Sequence, residues 1–312
     1  MNILITGGAG FIGSHLAKFY LDKEYEVYVL DNLSSGYREN IPYIDNHHFF
    51  NIDICDYEAV RNIIKNYKFE IIIHLAAVVS VVETVNKPLI SNEVNISATV
   101  NLLETNRIYN TNLKKFIFAS SAAVYGNEPN LPKTTKSTIQ PESPYAIQKY
   151  SGEQYTKMYN ELYNLPTTAL RFFNIYGPKQ DPKSQYSGVI SIMKNKFEKN
   201  ETFSFFGDGE QTRDFVYVKD LIKAISIVVA NKDTNGKVFN VGNGQQTSLK
   251  AIFNAFKSNF DKTINYKFEH TRDGDVKHSY ADITPLMNIG YKPNYTIVNG
   301  LKEYLEIENK EK

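Results

Sequence analysis

Two short stretches of this 312-residue chain contain the residue types from which a proton-transfer site is made. The first, SSAAVYG, spans Ser120 to Gly126 and follows the apolar run KFIFA. Two hydroxyls arrive at the end of an expected buried strand, and two alanines, Ala122 and Ala123, follow where acids could have stood. The second is SPYAIQK, residues 143–149, in which Ser143 can cap a helix and Pro144 suits its first position. Tyr145 and Lys149 then lie one turn apart on the same face, and among 22 tyrosines this is the only one with a lysine four places on. A phenol must fall by about three pKa units, roughly 4 kcal/mol, to act as a base near neutrality. A cation about 4 Å away at an effective dielectric near 20 supplies roughly that much, and Lys149 is a candidate for it. Taken alone, the pair reads equally well as an exposed helical face.

The strongest local pattern opens the chain. TGGAGFIGSH places Gly7, Gly10 and Gly13 between an expected strand, NILIT, and an expected helix. Glycines there let backbone approach a pyrophosphate, which rests on the amides of the helix N-terminus. Asp31 ends the second strand, VYVLDN, where an acid would bind the adenosine ribose hydroxyls and repel a 2′-phosphate. The pattern therefore predicts NAD in preference to NADP, and an oxidised nicotinamide would be a second cation near Tyr145. The alternative is a tight turn followed by an ordinary strand-end aspartate.

These residues need a scaffold, and the chain supplies one. NILIT, EVYVL, HHFFNI, EIIIHLA and KFIFASS read as strands, separated by SHLAKFYLDK and DYEAVRNIIKNY with apolar residues at helical spacing. The alternation predicts an α/β fold, a Rossmann-type doubly wound parallel sheet over residues 1–172. Past RFFNIYGP the rhythm loosens, predicting a smaller carboxy-terminal substrate domain over 173–312, with residues about 214–241 returning to the first sheet. The hydrophobic content of 42% suits a globular chain. With 35 basic and 34 acidic residues the net charge is +1, so no field of one sign invites nucleic acid or an anionic membrane. No stretch approaches the roughly 18 apolar residues of a membrane span, and a cytoplasmic protein is expected. Cys55 stands alone, without a Cys/His cluster that would hold a metal, and reads as packing; His47-His48 reads as the lead-in to a strand.

Together, TGGAGFIGSH, Asp31, HLAA at 74–77, SSAAVYG, YAIQK and RFFNIYGP resemble the extended short-chain dehydrogenase/reductase family, specifically its nucleotide-sugar 4-epimerases. GDGEQTRDFVYVKD and RDGD resemble its second-domain motifs, so the likeness covers essentially the whole chain. The resemblance implies bound NAD, a UDP-sugar substrate and a homodimer joined by helices around Asn95–Tyr109 and Tyr145–Tyr163. It implies that Ser121, Tyr145 and Lys149 are catalytic. It implies a cofactor site of Gly7, Gly10, Phe11, Ile12, Gly13, Asp31, Asn32, Asp53, Ile54, Leu75, Ala76, Ala77, Asn95, Tyr145, Lys149 and Phe172. Substrate contacts would come from Ser121, Asn174, Val189, Arg213, Arg272, Asp275 and Ser279, the two arginines clamping the diphosphate. Related 4,6-dehydratases carry Asp and Glu where this chain has Ala122 and Ala123, and related decarboxylases keep the Glu. Without those proton carriers, movement of one hydride at C4 remains.

The mechanism so implied has Tyr145 remove the 4-hydroxyl proton, Ser121 orient or relay it, and a 4-keto sugar turn over before the hydride returns. Ser279 resembles the gate beside the sugar's C2 substituent, a small residue that admits an N-acetyl group; the expected pair is UDP-N-acetylglucosamine and UDP-N-acetylgalactosamine, with UDP-glucose and UDP-galactose also accommodated. Some glucose epimerases have a lysine shortly after the HLAA-like segment, whereas this chain has Val78-Val79-Ser80. Other readings are a net oxidoreductase acting on a nucleotide sugar with exchangeable NAD(H), another epimerase of a nucleotide sugar, and an NAD-binding scaffold. The scaffold reading sits poorly with the intact Ser121, Tyr145 and Lys149.

Overall fold

The computed structural model describes residues 1–181, 188–271 and 276–311. The chain divides into two compact units. The first comprises Met1–Val124, Pro141–Arg171 and Ile222–Phe239; the second comprises Tyr125–Gln140, Phe172–Leu221 and Asn240–Lys312. Tyr125–Gln140, inside the stretch expected to be wholly amino-terminal domain, thus clusters with the second unit.

The first unit is built on strands β1 (Asn2–Thr6), β2 (Glu26–Leu30), β3 (Phe49–Phe50), β4 (Ile71–His74), β5 (Lys115–Ser121) and β6 (Thr167–Phe172). With Val238–Val241 they form a seven-stranded sheet in which that strand lies beside β6, followed by β5, β4, β1, β2 and β3. The β1–β2, β1–β4, β4–β5 and β2–β3 pairs are parallel. The order reverses beside β1, which is the doubly wound arrangement, and the carboxyl ends of β1 and β4 at that reversal are where a ligand crevice forms. The inner strands are apolar almost throughout because helices cover both faces; Ile3, Leu4, Ile5, Ile71, Ile72 and Ile73 are all buried. The HHFFNI run yields only the two-residue edge strand β3. Its lead-in does pair, since the His48 carbonyl accepts from Val29 N, but beyond Phe50 the chain turns back on Asp53, whose carboxylate accepts from Cys55 N.

Helices α1 (Phe11–Asp22), α2 (Tyr57–Tyr67), α3 (Val81–Asn86), α4 (Pro88–Asn92), α5 (Ala98–Tyr109) and α6 (Pro144–Tyr163) complete this unit, with one π turn at Glu93–Ser97 leading into α5. On one face Val60, Ile63 and Ile64 of α2 and Leu102 and Leu103 of α5 pack on Leu4, Ile72, Phe116 and Phe118. The Cys55 thiol packs at the margin of that cluster. As expected, α6 starts on Ser143, whose hydroxyl accepts from Ala146 N, with Pro144 in its first turn.

In the second unit β7 (Asn174–Tyr176) is followed by α7 (Val189–Lys199), β8 (Phe203–Phe206), β9 (Thr212–Arg213) and β10 (Phe215–Tyr217); the next helix, α8 (Val218–Ala230), belongs from Ile222 onward to the first unit. Then come β11 (Val238–Val241, the strand already placed in the large sheet), β12 (Thr247–Ser248), α9 (Leu249–Phe260), β13 (Tyr266–Glu269), α10 (Thr284–Met287) and α11 (Ile297–Glu311). β7 pairs with β10, β9 with β12 and β8 with β13. The sheet return expected after residue 214 is carried by β11, while Phe215–Tyr217 instead pairs with β7. Aromatic rings fill this unit's core, with Phe197 5.0 Å from Phe253 and Phe203 4.9 Å from Phe205 between centroids. No described helix is long and apolar enough to cross a membrane.

Candidate active site

The glycine turn between β1 and α1 is built for close approach. Gly7 has φ +70°, and a Cβ on it would lie 2.8 Å from Ala76 N; a Cβ on Gly13 would lie 2.2 Å from the Gly7 carbonyl oxygen. Gly10 is the N-cap of α1 and offers no side chain to the helix's first amides, which include those of Phe11 and Ile12. Unsatisfied amides at a helix start, next to backbone that no side chain crowds, suit a pyrophosphate. Asp31 is 7% exposed and sits just past β2. Its Oδ2 accepts from Ala9 N at 2.9 Å and its Oδ1 from Leu33 N at 2.8 Å, so the carboxylate is fixed against the turn. Burial pulls its pKa up, and the two amides pull it back. Asn32 donates to Asp53 at 2.7 Å on the exposed rim, and Ile54 beside it is buried. Leu75, Ala76 and Ala77 leave the end of β4, with Ala76 backed directly by Gly7. The residues of this turn fit a dinucleotide.

At the end of β5, Ser121, Tyr145 and Lys149 come together. Lys149 is 5% exposed, donates to the Ala119 carbonyl at 2.9 Å, and lies 5.9 Å from the centroid of the Tyr145 ring. Burial lowers its pKa to about 8. Burial also raises the Tyr145 phenol, while a hydrogen bond from Ser121 acts in the opposite direction. For the phenol desolvation outweighs the Ser121 hydrogen bond, and the Lys149 ammonium is anchored to a backbone carbonyl. Ser121 Oγ accepts from Ala123 N at 3.2 Å, and Ala122 and Ala123 form the start of a 3₁₀ turn with no titratable side chain.

Several residues that sequence reasoning passed over hold this arrangement. A Cβ on Gly152 would be 2.5 Å from Phe118 Cζ, so α6 lies against β5 only because that position is bare. One residue on, Glu153 is fully buried, accepts from Ser120 Oγ at 2.7 Å and takes a two-pronged contact from Arg171, at 2.8 and 2.6 Å. Tyr145, Lys149, Gly152 and Glu153 follow helical spacing, the one signal by which the last two could have been found. Asn95, within the π turn, accepts from Val78 N at 2.8 Å, donates to the Val78 carbonyl at 2.9 Å, and reaches Gln148 at 2.7 Å. Gln148 in turn donates to Ser91.

In the second unit Asn174 and Asp214 are joined, the Asp214 carbonyl accepting from both the Asn174 amide and its side chain, at 3.0 and 3.2 Å. The buried Asp214 carboxylate, unforeseen from sequence, accepts from the amides of Asn243, Gly244 and Ala281, and burial raises its pKa to about 6. Next to it Arg213 donates to the Thr212 carbonyl, and the amide of Ser279 bonds that same carbonyl at 3.2 Å. Arg213 and Ser279 are thus neighbours through Thr212. Val189 starts α7, half-buried, and Phe172 ends β6, buried. Arg272 and Asp275 lie outside the described residues. Among the described residues no cluster of three His, Cys, Asp or Glu gathers around a common point.

Comparison with known proteins matches this architecture. A putative UDP-glucose 4-epimerase of Methanocaldococcus jannaschii is 40% identical over 303 residues, covering 96% of each chain. The structure of a UDP-N-acetylglucosamine 4-epimerase from Methanobrevibacter ruminantium M1, in complex with UDP-N-acetylmuramic acid, superposes with a TM-score of 0.92 at 37% identity, covering 100% of this chain and 99% of that one. A UDP-glucose 4-epimerase of Thermotoga maritima with UDP-glucose superposes at 0.91 with 37% identity and the same coverage. The sequence profile of the NAD dependent epimerase/dehydratase family matches residues 3–242, which run from β1 through β11. With its glycine turn, its Asp31 and that match in hand, this chain belongs to the NAD-dependent epimerase/dehydratase family of enzymes.

Proposed function

We propose that the chain is a UDP-sugar 4-epimerase that inverts C4 through a 4-keto sugar while retaining one NAD, and that it interconverts UDP-N-acetylglucosamine and UDP-N-acetylgalactosamine, with UDP-glucose and UDP-galactose as a second pair. The observation that carries this reading is the grouping of half-buried Ser121 and Tyr145 with buried Lys149 beside two alanines. NAD, when bound at the glycine turn, supplies a reversible hydride acceptor and a positive charge. Gly7, Gly10 and Gly13 would admit its pyrophosphate to the amides of α1, and Asp31 would hold its ribose hydroxyls.

The proton chemistry belongs to the chain. Tyr145 Oη takes the proton of the substrate's 4-hydroxyl and later returns one, and Ser121 Oγ orients that hydroxyl and stabilises the phenolate. Lys149, held on the Ala119 carbonyl, keeps a cation near the phenol at fixed distance. Ala122 and Ala123 offer no acid or base for elimination, so the keto sugar's one route forward is to be reduced again. Asn174, Arg213, Arg272, Asp275 and Val189 are assigned to the UDP-sugar, with the guanidinium groups on the diphosphate. Ser279, half-buried beside Arg213, is assigned to the C2 substituent, where its small side chain leaves room for an acetamido group.

A homodimer is part of the same proposal. Ile147, Tyr155, Met158 and Leu162 form an exposed apolar stripe along α6, opposite the buried face that carries Lys149 and Glu153. Covering that stripe with a second copy would remove it from water, and a monomer mass by light scattering would refute this assignment.

The deciding experiment incubates pure protein with each UDP-sugar, no cofactor added, and separates the C4 epimers. The acetylated pair should interconvert. Turnover that appears only when NAD(H) is supplied and consumes it in proportion to product points instead to a net oxidoreductase. Ser279→Tyr should lower kcat/KM selectively for the acetylated sugars, because an overfilled pocket penalises the larger substrate. Equal losses for both pairs would sink the Ser279 assignment.

A further inference from the structure

Beneath the glycine turn runs a line of buried polar atoms that the proton chemistry does not use. Thr6, the last residue of β1, His74, the last of β4, and Thr99 of α5 are each 0–1% exposed. Ala76 N donates to Thr6 Oγ1 at 3.3 Å, and Thr6 Oγ1 meets His74 Nδ1 at 2.7 Å. His74 Nε2 meets Thr99 Oγ1 at 3.0 Å, and Thr99 Oγ1 donates to the Asn95 carbonyl at 2.9 Å. Each hydroxyl has one proton, which fixes the direction of every bond. Thr99 has given its proton to Asn95, so it must accept from His74 Nε2–H. The bare Nδ1 must then accept from Thr6, whose oxygen still accepts from Ala76.

Both ends of this line are parts of the cofactor site. Ala76 N is the atom that a Cβ on Gly7 would strike, so its amide plane forms the floor of the glycine turn. Asn95 grips Val78 through both its amide and its carbonyl, and contacts Gln148, the neighbour of Lys149. The segment Leu75–Val78 is therefore held at one end by the imidazole and at the other by Asn95, which the imidazole also tethers.

We infer that His74 is a positioning residue for the cofactor site: a neutral imidazole, protonated on Nε2, that ties the backbone under the glycine turn to the Asn95 clamp. The inference rests on the reading of this turn as the NAD site. The ring is walled by Phe116 and Phe118, at centroid distances of 6.2 and 6.0 Å. Lys149 is the charged group that acts on it.

The test uses the protein as purified with its NAD. His74→Leu and Thr99→Val should each raise the dissociation constant for NAD roughly tenfold, because each strands a buried partner. The double variant should be no worse than the weaker-binding single one, since both cut the same line. His74→Gln, which keeps one donor and one acceptor, should recover most of the affinity. In wild type, ¹⁵N shifts of the His74 ring should show Nε2–H and a bare Nδ1, a result that stands even if a variant fails to fold. Folded variants with wild-type NAD affinity, additive losses in the double variant, or an Nδ1–H ring would each overturn the inference. A wild type that binds no NAD would sink the cofactor assignment instead.

Discussion

Gly152→Ala tests the geometry of the site without touching any group assigned to the chemistry. A Cβ there lies 2.5 Å from Phe118 Cζ, whereas ordinary contact begins near 3.4 Å, so roughly 0.9 Å must be found between α6 and β5. The Phe118 ring cannot simply swing aside: it is 1% exposed and Lys149 Nζ sits 5.3 Å over it. Overpacking of this kind costs about 1–3 kcal/mol, and the better helix propensity of alanine returns about 1 kcal/mol, leaving a net loss of roughly 0–2 kcal/mol. The kinetic effect is larger. Ser121 is carried by β5, and Tyr145 and Lys149 by α6. Separating them by about 1 Å is worth on the order of 100-fold in rate. Epimerase turnover and thermal denaturation measured on the same preparation should show kcat reduced far more than stability. Phe118→Leu placed on top of Gly152→Ala should restore part of kcat by removing the obstructing ring end. Wild-type kcat in a folded Gly152→Ala, or no recovery in the double variant, would falsify the view that this contact sets the spacing of the catalytic groups.

Three further outcomes follow from the same structure. Tyr145→Phe should lose most turnover with UDP-sugar affinity retained, measured as kcat against binding in a direct titration; near wild-type turnover would end the role assigned to the phenol. Asp31→Ala should release NAD on gel filtration with little change in circular dichroism, since the carboxylate's partners are two loop amides rather than core groups; unchanged cofactor content would remove Asp31 from the site. His74, whose pKa burial lowers to about 3, refuses a proton that the unfolded chain accepts below about pH 6.5. Its depressed value means stability is lost as pH falls through that window, so between pH 7 and pH 5 wild type should lose roughly 2 kcal/mol relative to His74→Gln. Parallel denaturant titrations of the two proteins would test this, and a pH-independent difference would contradict it.

The doubly wound sheet, the glycine turn with Asp31, the capped helix bearing Tyr145 and Lys149, and the family itself were legible in the sequence. Their signals are local: apolar runs, a strand–turn–helix spacing, a Ser-Pro cap and a four-residue interval are each written within a few positions. What escaped were residues whose significance comes from partners far along the chain. Glu153 reads as one more helical acid until Ser120 and Arg171 close around it, and Gly152 as a weak helix position until Phe118 is seen where its side chain would be. Asp214 stands beside an arginine in sequence, yet its carboxylate is taken by amides 29, 30 and 67 residues away. The assignment of Tyr125–Gln140 to the second unit has the same origin. The upward pull of burial on the Tyr145 phenol was also beyond sequence reasoning, because spacing gives the lysine's reach but not the desolvation of the ring. Short-range pattern thus determined which elements form and which groups they carry, while desolvation, close approach and long-range hydrogen bonds decided how those groups are held.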